Sequence, residues 1–320
     1  MSTSSSLDRI LVLELVRVTE AAAVAASKLV GRGDEKKADA AAVEAMRLAF
    51  NDLEMDGTVV IGEGERDEAP MLYIGEKVGT GKGPAIDIAL DPLEGTTITA
   101  KGGPNALAVV AFAEKGHLLN APDTYMEKIA IGPGYAAGVI DLDKSAGENA
   151  KSVAAAKGVD VSEIMACVLD RPRHAGIIED LRRVGAGVKL IGDGDVQGVI
   201  QCAVPDADVD FYMGTGGAPE GVLAAAALRC LGGQFEGRLV MRNDDERARA
   251  YKWGIEDLNR KYTLEELASG DVIFAATGVT SGAMLQGVKR SRFGGYSTHS
   301  LVMRSSTRTI RWVSTDHIPQ

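Results

Sequence analysis

The sequence predicts a mixed α/β fold, and three observations predict it. Short apolar runs bounded by Gly, Pro or Asp, such as Ala85 to Leu90 between Gly83-Pro84 and Asp91-Pro92, read as mostly buried strands. Other stretches, the first from Leu7 to Val30, carry apolar residues at helical spacing. Past a polar, turn-rich segment from Lys144 to Asn149, strands and helices alternate, which favours a mixed or parallel sheet covered by helices. At 320 residues the chain has room for about two domains. The polar segment divides it into halves, 1–145 and 146–320, expected to pack together with a site between them.

Each element has its own reason. Leu11, Leu15, Val18, Ala22, Ala25 and Leu29 line one face of the first helix, and Gly31-Arg32-Gly33-Asp34 ends it. A second helix begins near Lys37 or Ala38 and buries Val43, Met46, Phe50 and Leu53. Asp39 stands in its first turn, where an acid meets the positive end of the helix dipole. Strands follow at Thr58 to Ile61, Ala85 to Leu90, Asn105 to Ala113, Lys128 to Ile131 and Gly138 to Leu142. In the second half Ile164 to Leu169 is a strand, Ala175 to Val184 a helix with Ile177, Ile178 and Leu181 inward, and Val188 to Ile191 a strand. A helix starts at Val196, and Asp210 to Met213 is a short strand running into a helix with Pro219 in its first turn. Asn243 to Gly270 is charged and helical in composition, Val272 to Ala276 is another strand, and the tail from Ser297 to Thr315 alternates in places, as closing antiparallel strands do.

Composition narrows the function classes. A net charge of −10 with no basic stripe argues against binding to nucleic acid or an anionic membrane. Cys167, Cys202 and Cys230 form no C-x-x-C pair and read as buried free thiols, which implies a reducing compartment. No run approaches the length of a membrane span, and Met1 to Ser6 shows no signal-peptide pattern, so the cytoplasm is the default location. The histidines are too scattered for a His-rich zinc site. Asp141 to Ser152 lacks the Gly and Glu of a calcium loop. The glycine clusters at Gly79, Gly192 and Gly214 lack nucleotide-binding spacing.

The chemistry gathers at strand tips. The run from Ala85 is expected to stop at Asp91, because Pro92 has no N–H for a sheet and pushes Asp91 from helical ψ. Asp91 and Glu94 then leave the strand together, Gly95 permits a backbone path closed to other residues, and Thr96 and Thr97 bring hydroxyls. Clustered carboxylates and hydroxyls suit a hard divalent cation, Mg²⁺ or Mn²⁺. The alternative is a surface turn, which favours the same residues. The strand at Thr58 also ends in acids, Gly62-Glu63-Gly64-Glu65-Arg66-Asp67-Glu68. Glu63 between glycines is the stronger ligand candidate, while Glu65 and Glu68 read as a solvated loop.

Three further tips carry polar groups. Asp170-Arg171-Pro172-Arg173 sets two planar guanidinium forks around a proline, suited to phosphate oxygens or simply solvated. Gly192-Asp193-Gly194-Asp195 offers acids that accept from sugar hydroxyls or cap the next helix. Gly214 to Gly221 exposes backbone N–H groups before a helix, an anion cradle with Glu220 beside it.

Asp91-Pro92-Leu93-Glu94-Gly95-Thr96 resembles the metal-site signature of the lithium-sensitive, metal-dependent phosphatase superfamily. Glu94, where many members have Asp, resembles the class II fructose-1,6-bisphosphatases. Arg17-Val-Thr-Glu20, Gly62-Glu-Gly-Glu65, Asn120-Ala-Pro-Asp123, Gly192-Asp-Gly-Asp195, Gly216 to Gly221 and Val272 to Gly278 resemble the same family in order along nearly the whole chain; Arg171 departs from relatives that have Lys. The resemblance implies a layered α-β-α-β-α architecture, a metal-binding N-terminal half, a substrate-binding C-terminal half, and a homodimer or homotetramer. It implies metal ligands Asp39, Glu63, Asp91, Glu94 and Glu220, and substrate contacts from Glu94, Gly95, Thr96, Tyr125, Arg171, Pro172, Arg173, Asp193, Gly194, Asp195 and Gly217.

The expected activity is hydrolysis of the 1-phosphate of fructose 1,6-bisphosphate, a step of gluconeogenesis. Such hydrolysis needs a barrier reduction on the order of 20 kcal/mol or more, and Mn²⁺ or Mg²⁺ ions supply much of it by stabilising charge and activating water. Thr96 would orient that water or a phosphate oxygen, Asp67 would act as base, and Arg171 and Arg173 would hold the 6-phosphate. The alternatives are sedoheptulose 1,7-bisphosphate, an inositol phosphate or a nucleotide 3′-phosphate as substrate, or a sugar-phosphate sensor without turnover.

Overall fold

The computed structural model describes residue 7 and residues 11–64, 71–204, 207–292 and 294–319. In chain order the elements are α1 (Leu11–Ser27), α2 (Glu35–Phe50), β1 (Asp56–Ile61), β2 (Lys77–Val78), β3 (Ala85–Glu94), α3 (Thr96–Lys101), β4 (Leu107–Glu114), β5 (Tyr125–Ile131), α4 (Ala146–Lys157), β6 (Met165–Leu169), α5 (Ala175–Arg183) and β7 (Gly187–Ile191). They continue with α6 (Asp195–Gln201), β8 (Phe211–Gly217), α7 (Ala218–Leu231), β9 (Gln234–Val240), α8 (Asp244–Lys252), β10 (Lys261–Thr263), α9 (Leu264–Leu267), β11 (Val272–Gly278), β12 (Lys289–Arg290), β13 (Tyr296–Arg304) and β14 (Thr309–His317). The chain is a mixed α/β protein with two mixed sheets.

Strand pairing divides the chain into two compact units, Met1–Leu119 with Ser269–Gln320, and Asn120–Ala268. This is not the expected division at residue 145. β5 pairs with β8 and β9 and so belongs to the second unit, while β11 pairs with β4 and draws the C-terminal strands back to the first. The polar segment at 145 starts a helix instead: the Ser145 hydroxyl accepts from Glu148 N–H, and the Glu148 carboxylate accepts from Ser145 N–H.

The first unit's sheet runs β12-β13-β11-β4-β3-β1-β2, with β14 on β13 and only β1 and β3 parallel among its pairs. Ile86, Ile88 and Leu90 of β3 and Ala108, Val110 and Phe112 of β4 alternate onto one face. There they meet Leu15, Val18 and Ala22 of α1 and Met46 and Phe50 of α2; the Phe50 and Phe112 rings lie 6.2 Å apart. α2 begins at Glu35, earlier than expected, because Asp34 caps it by accepting from Lys37 N–H at 3.0 Å.

β3 does not stop at Asp91. A bulge takes up Pro92 and Leu93, and the ladder resumes with Glu94 opposite Leu107. The N–H that Pro92 lacks falls inside the bulge, and Leu93 N–H donates to Asp91 Oδ1 at 3.0 Å. Gly95 follows at φ 94°, ψ 51°, a left-handed conformation that turns the strand directly into α3.

The second unit's sheet runs β10-β9-β5-β8-β6-β7. Ile129, Ile131, Val168, Phe211 and Met213 bury one face with α4 and α5. The next residues along β5 and β8, Lys128 and Tyr212, point the other way, toward α6 and α7. Gly138 to Leu142, expected as a strand, is a series of turns. Its backbone donors are taken by side chains, Asp141 N–H by Asn149 Oδ1 at 2.9 Å and Leu142 N–H by Glu236 Oε2 at 2.8 Å, so no ladder forms. Gly214 to Gly217, expected as an exposed loop, completes β8, with Gly214 opposite Lys128 and Gly217 opposite Tyr125. All three cysteines are buried free thiols, and no helix among the described residues is long and apolar enough to cross a membrane.

Candidate active site

In the first unit, β1 and β3 run parallel with Ile61 opposite Ala89, so Glu63, two residues past β1, shares a sheet end with Asp91 and Glu94. Glu94 is buried, and Glu63 and Asp91 are half-buried. Asp39 is half-buried on α2, which packs against both β3 and α3, and burial pushes its carboxyl above the ordinary value. Gly31 N–H donates to Thr99 O and Gly33 N–H to Ala100 O, tying the approach to α2 onto α3. Thr96 is the first residue of α3. Asp67, the expected base, and Glu65 and Glu68 lie outside the described residues. Among the described residues no three His, Cys, Asp or Glu side chains are grouped to hold a metal ion. Asp91 Oδ1 accepts from Leu93 N–H within its own bulge.

In the second unit, strand directions bring scattered residues to one edge. β6, β7 and β8 run parallel, so the segments after Leu169, Ile191 and Gly217 emerge together. β5 is antiparallel to β8 and begins at that edge with Tyr125, and antiparallel β9 ends there, Val240 opposite Tyr125. Tyr125, Arg171 to Arg173, Asp193 to Asp195, Gly217 and Glu220 therefore share one end of one sheet.

This edge is pinned by buried hydrogen bonds. Pro172–His174 form a single 3-10 turn, and the buried His174 ring anchors it. Thr215 N–H donates to His174 Nε2 at 2.8 Å, so Nε2 is unprotonated and Nδ1–H donates to Leu169 O at 2.8 Å. Burial holds His174 below its ordinary pKa and favours this neutral form. Arg173 Nε donates to Thr215 O at 2.9 Å, and Arg171 lies 3.5 Å from Asp193.

Asp195 opens α6 after left-handed Gly194 and accepts from Lys128 Nζ, whose side chain is 0% exposed. Glu220 lies in the first turn of α7, and its buried Oε2 has no hydrogen-bond partner among the described residues. Burial first, and then the charge of Asp195, pushes the Glu220 carboxyl above its ordinary value, with Lys128 pulling it down. A Cβ on Gly216 would collide with Asp195 Oδ2, and one on Gly217 with Glu220 Oε2, so both carboxylates lie directly on strand backbone. A buried carboxylate oxygen with no donor beside it is costly alone and fits a cation. The donor set, all oxygen, fits a hard divalent ion.

The sequence profile of the family described as bacterial fructose-1,6-bisphosphatase, glpX-encoded, matches residues 9–317. The chain belongs to that family. It is similar, at 49% identity over 324 residues, to the fructose-1,6-bisphosphatase 1 class 2 of Escherichia coli (strain K12), covering 97% of this chain and 95% of that one. It is similar to the same extent to the fructose-1,6-bisphosphatase class 2 of Shigella flexneri. Among solved structures, the inositol monophosphatase of Anabaena (Nostoc) sp. PCC 7120 matches 61% of this chain and 72% of its own, with 16% identity and a TM-score of 0.32, too slight a likeness to bear on the fold.

For this glpX-family chain, residue patterns alone passed over three members of the sheet edge. Lys128 was legible only as one of two adjacent charges, with Glu127, at the head of the apolar stretch Ile129 to Ile131. His174 carried no pattern, since its partners come from β6 and β8. Arg242 follows β9, an alternating strand not recognised in the sequence, and its guanidinium stands 4.3 Å from the Tyr125 ring centre.

Proposed function

We propose that this chain hydrolyses fructose 1,6-bisphosphate to fructose 6-phosphate and inorganic phosphate, as a gluconeogenic phosphoric-monoester hydrolase. The observation that carries this is the family match over residues 9–317. When bound by Asp39, Glu63, Asp91, Glu94 and Glu220, Mg²⁺ or Mn²⁺ supplies Lewis-acid stabilisation of the 1-phosphate and a water of lowered pKa. What supports this ligand set is the all-oxygen donor chemistry, the raised pKa of Asp39 and the orphaned oxygen of Glu220.

The chain's own groups do the rest. Thr96, at the start of α3, places its hydroxyl to orient the attacking water or a phosphate oxygen, Gly95 and Glu94 shape the same turn, and Asp67 takes the water's proton. Arg171 and Arg173 hold the 6-phosphate through charge-assisted hydrogen bonds, with Pro172 fixing the turn between them. Asp193 and Asp195 accept from sugar hydroxyls, and Gly194, Gly217 and Tyr125 border the sugar. Lys128 occupies Asp195 Oδ2, which leaves Oδ1 for the substrate. Action in the cytoplasm and association as a homodimer or homotetramer belong to the same proposal, the first supported by the buried free thiols.

The test is phosphate release from fructose 1,6-bisphosphate, sedoheptulose 1,7-bisphosphate and inositol phosphates, by wild type and Asp91→Asn. Wild type is expected to prefer the fructose bisphosphate, and Asp91→Asn to be inactive with an unchanged circular dichroism spectrum. Near-normal turnover by Asp91→Asn at saturating metal removes Asp91 from the chemistry, and no release from any ester removes the hydrolase reading.

A further inference from the structure

We infer that Arg242 is a further cation of the distal-phosphate site, added to Arg171 and Arg173 and acting with Arg173 across Tyr125. The inference rests on the proposed reading that the 6-phosphate binds at this sheet edge. Arg173 and Arg242 bring their guanidinium carbons within 5.0 Å and 4.3 Å of the centre of the same phenol ring. The two charges are thus no farther apart than the sum of those distances. Ring attraction holds each cation only weakly at an exposed site. Like charges this close otherwise repel, and such a pair is favoured where an anion comes between or beside them.

Arg242 is held ready. The buried Glu246 carboxylate accepts from Arg242 Nε at 2.7 Å and, through its other oxygen, from Arg242 N–H at 2.7 Å and the Thr124 hydroxyl at 3.0 Å. The single Thr124 hydroxyl proton is shared with Val240 O, 2.7 Å away, which ties Glu246 to the residue paired with Tyr125. The Arg242 side chain remains 49% exposed, so a fixed guanidinium faces solvent beside Tyr125 instead of being closed off by its ion pair. Arg173 has no carboxylate partner among the described residues and is aimed by its bond to Thr215 O. Arg171 is matched by Asp193 at 3.5 Å. A phosphate dianion at Tyr125 therefore meets Arg173 and Arg242 as two forks fixed from β6 and β9.

The experiment compares fructose 1,6-bisphosphate with fructose 1-phosphate, which carries the scissile group and lacks the distal one. Arg242→Gln is expected to lower kcat/KM for the bisphosphate roughly ten- to a hundredfold, through KM, the size of one lost charge-assisted contact, and to leave kcat/KM for the monophosphate unchanged. Arg242→Lys keeps the ion pair with Glu246 and the fold, and is expected to shift the same ratio in the same direction by less. Equal losses on both substrates in Arg242→Lys assign the residue to structure and overturn the inference. An unchanged ratio in both Arg242 variants, with a shifted ratio in Arg173→Gln, overturns it while the proposed phosphate site stands. Unchanged ratios in Arg173→Gln and the Arg242 variants together overturn that site as well.

Discussion

Lys128→Met should be among the most destabilising single changes in the second unit. The Lys128 side chain is 0% exposed and that of its partner Asp195 8%, so neither charge is repaid by water. Removing one member of such a pair strands the other, which costs about 3–5 kcal/mol. Glu220 adds to the penalty, because Asp195 then faces it without the ammonium that offset both acids. Arg247 and Asp244 on α8 give the contrast: their side chains are 47% and 97% exposed, and such a pair is worth about 0–1 kcal/mol. The assay is urea unfolding in a Trp312→Phe background, where Trp253 at the end of α8 reports the second unit. Replacing both partners, Lys128→Met with Asp195→Leu, should recover most of the loss, because the stranded charge goes with them. A loss below about 1 kcal/mol for Lys128→Met would refute the reasoning, since the pair would then behave as a screened surface contact.

Four further outcomes are expected. Burial raises the Glu246 pKa, but hydrogen bonds from Arg242 and Thr124 outweigh it and hold the group at about 2, against an ordinary 4.5. A depressed carboxyl stabilises the fold above its unfolded pKa, so this contribution should fade as pH drops from about 4.5 toward 2; Glu246→Gln should flatten the curve there, and superimposable curves would contradict it. Phe112→Ala, at a fully buried site against Phe50, should cost about 3–5 kcal/mol in the first unit, read by Trp312 fluorescence in urea. Gly217→Ala puts a methyl group where Glu220 Oε2 lies and should weaken the apparent metal affinity roughly ten- to a hundredfold, measured by Mn²⁺ titration of phosphate release. Excess chelator should abolish phosphate release and added Mg²⁺ or Mn²⁺ should restore it; release that persists in chelator would remove the ion from the mechanism.

The legible elements are those whose cause is local. Apolar spacing marked α1 and α2, and the buried runs at β1, β3 and β11 stand where periodicity put them. Local signals misled where distant side chains intervened. Gly138 to Leu142 looks like a strand by composition, yet Asn149 and Glu236 take its donors. Pro92 looks like a stop, yet a bulge absorbs its missing N–H and the ladder resumes at Glu94. β9 went unread because Gly237 and three polar residues interrupt it; pairing with β5 on one side and β10 on the other makes it a strand.

By itself the sequence determined which chemistry the chain carries: acids after Ile61 and Leu90, guanidinium forks after Leu169, glycines before Glu220, each set beside a strand end by short-range turn chemistry. Only the tertiary structure decided which of these ends face the same way. Strand direction and sheet order are set by pairings between residues more than a hundred positions apart, such as Tyr125 with Val240 and Val110 with Ala275. Those pairings place Arg242 over Tyr125, set Lys128 under Asp195 and return the last strands to the first sheet. No window of local sequence contains the partner that fixes them.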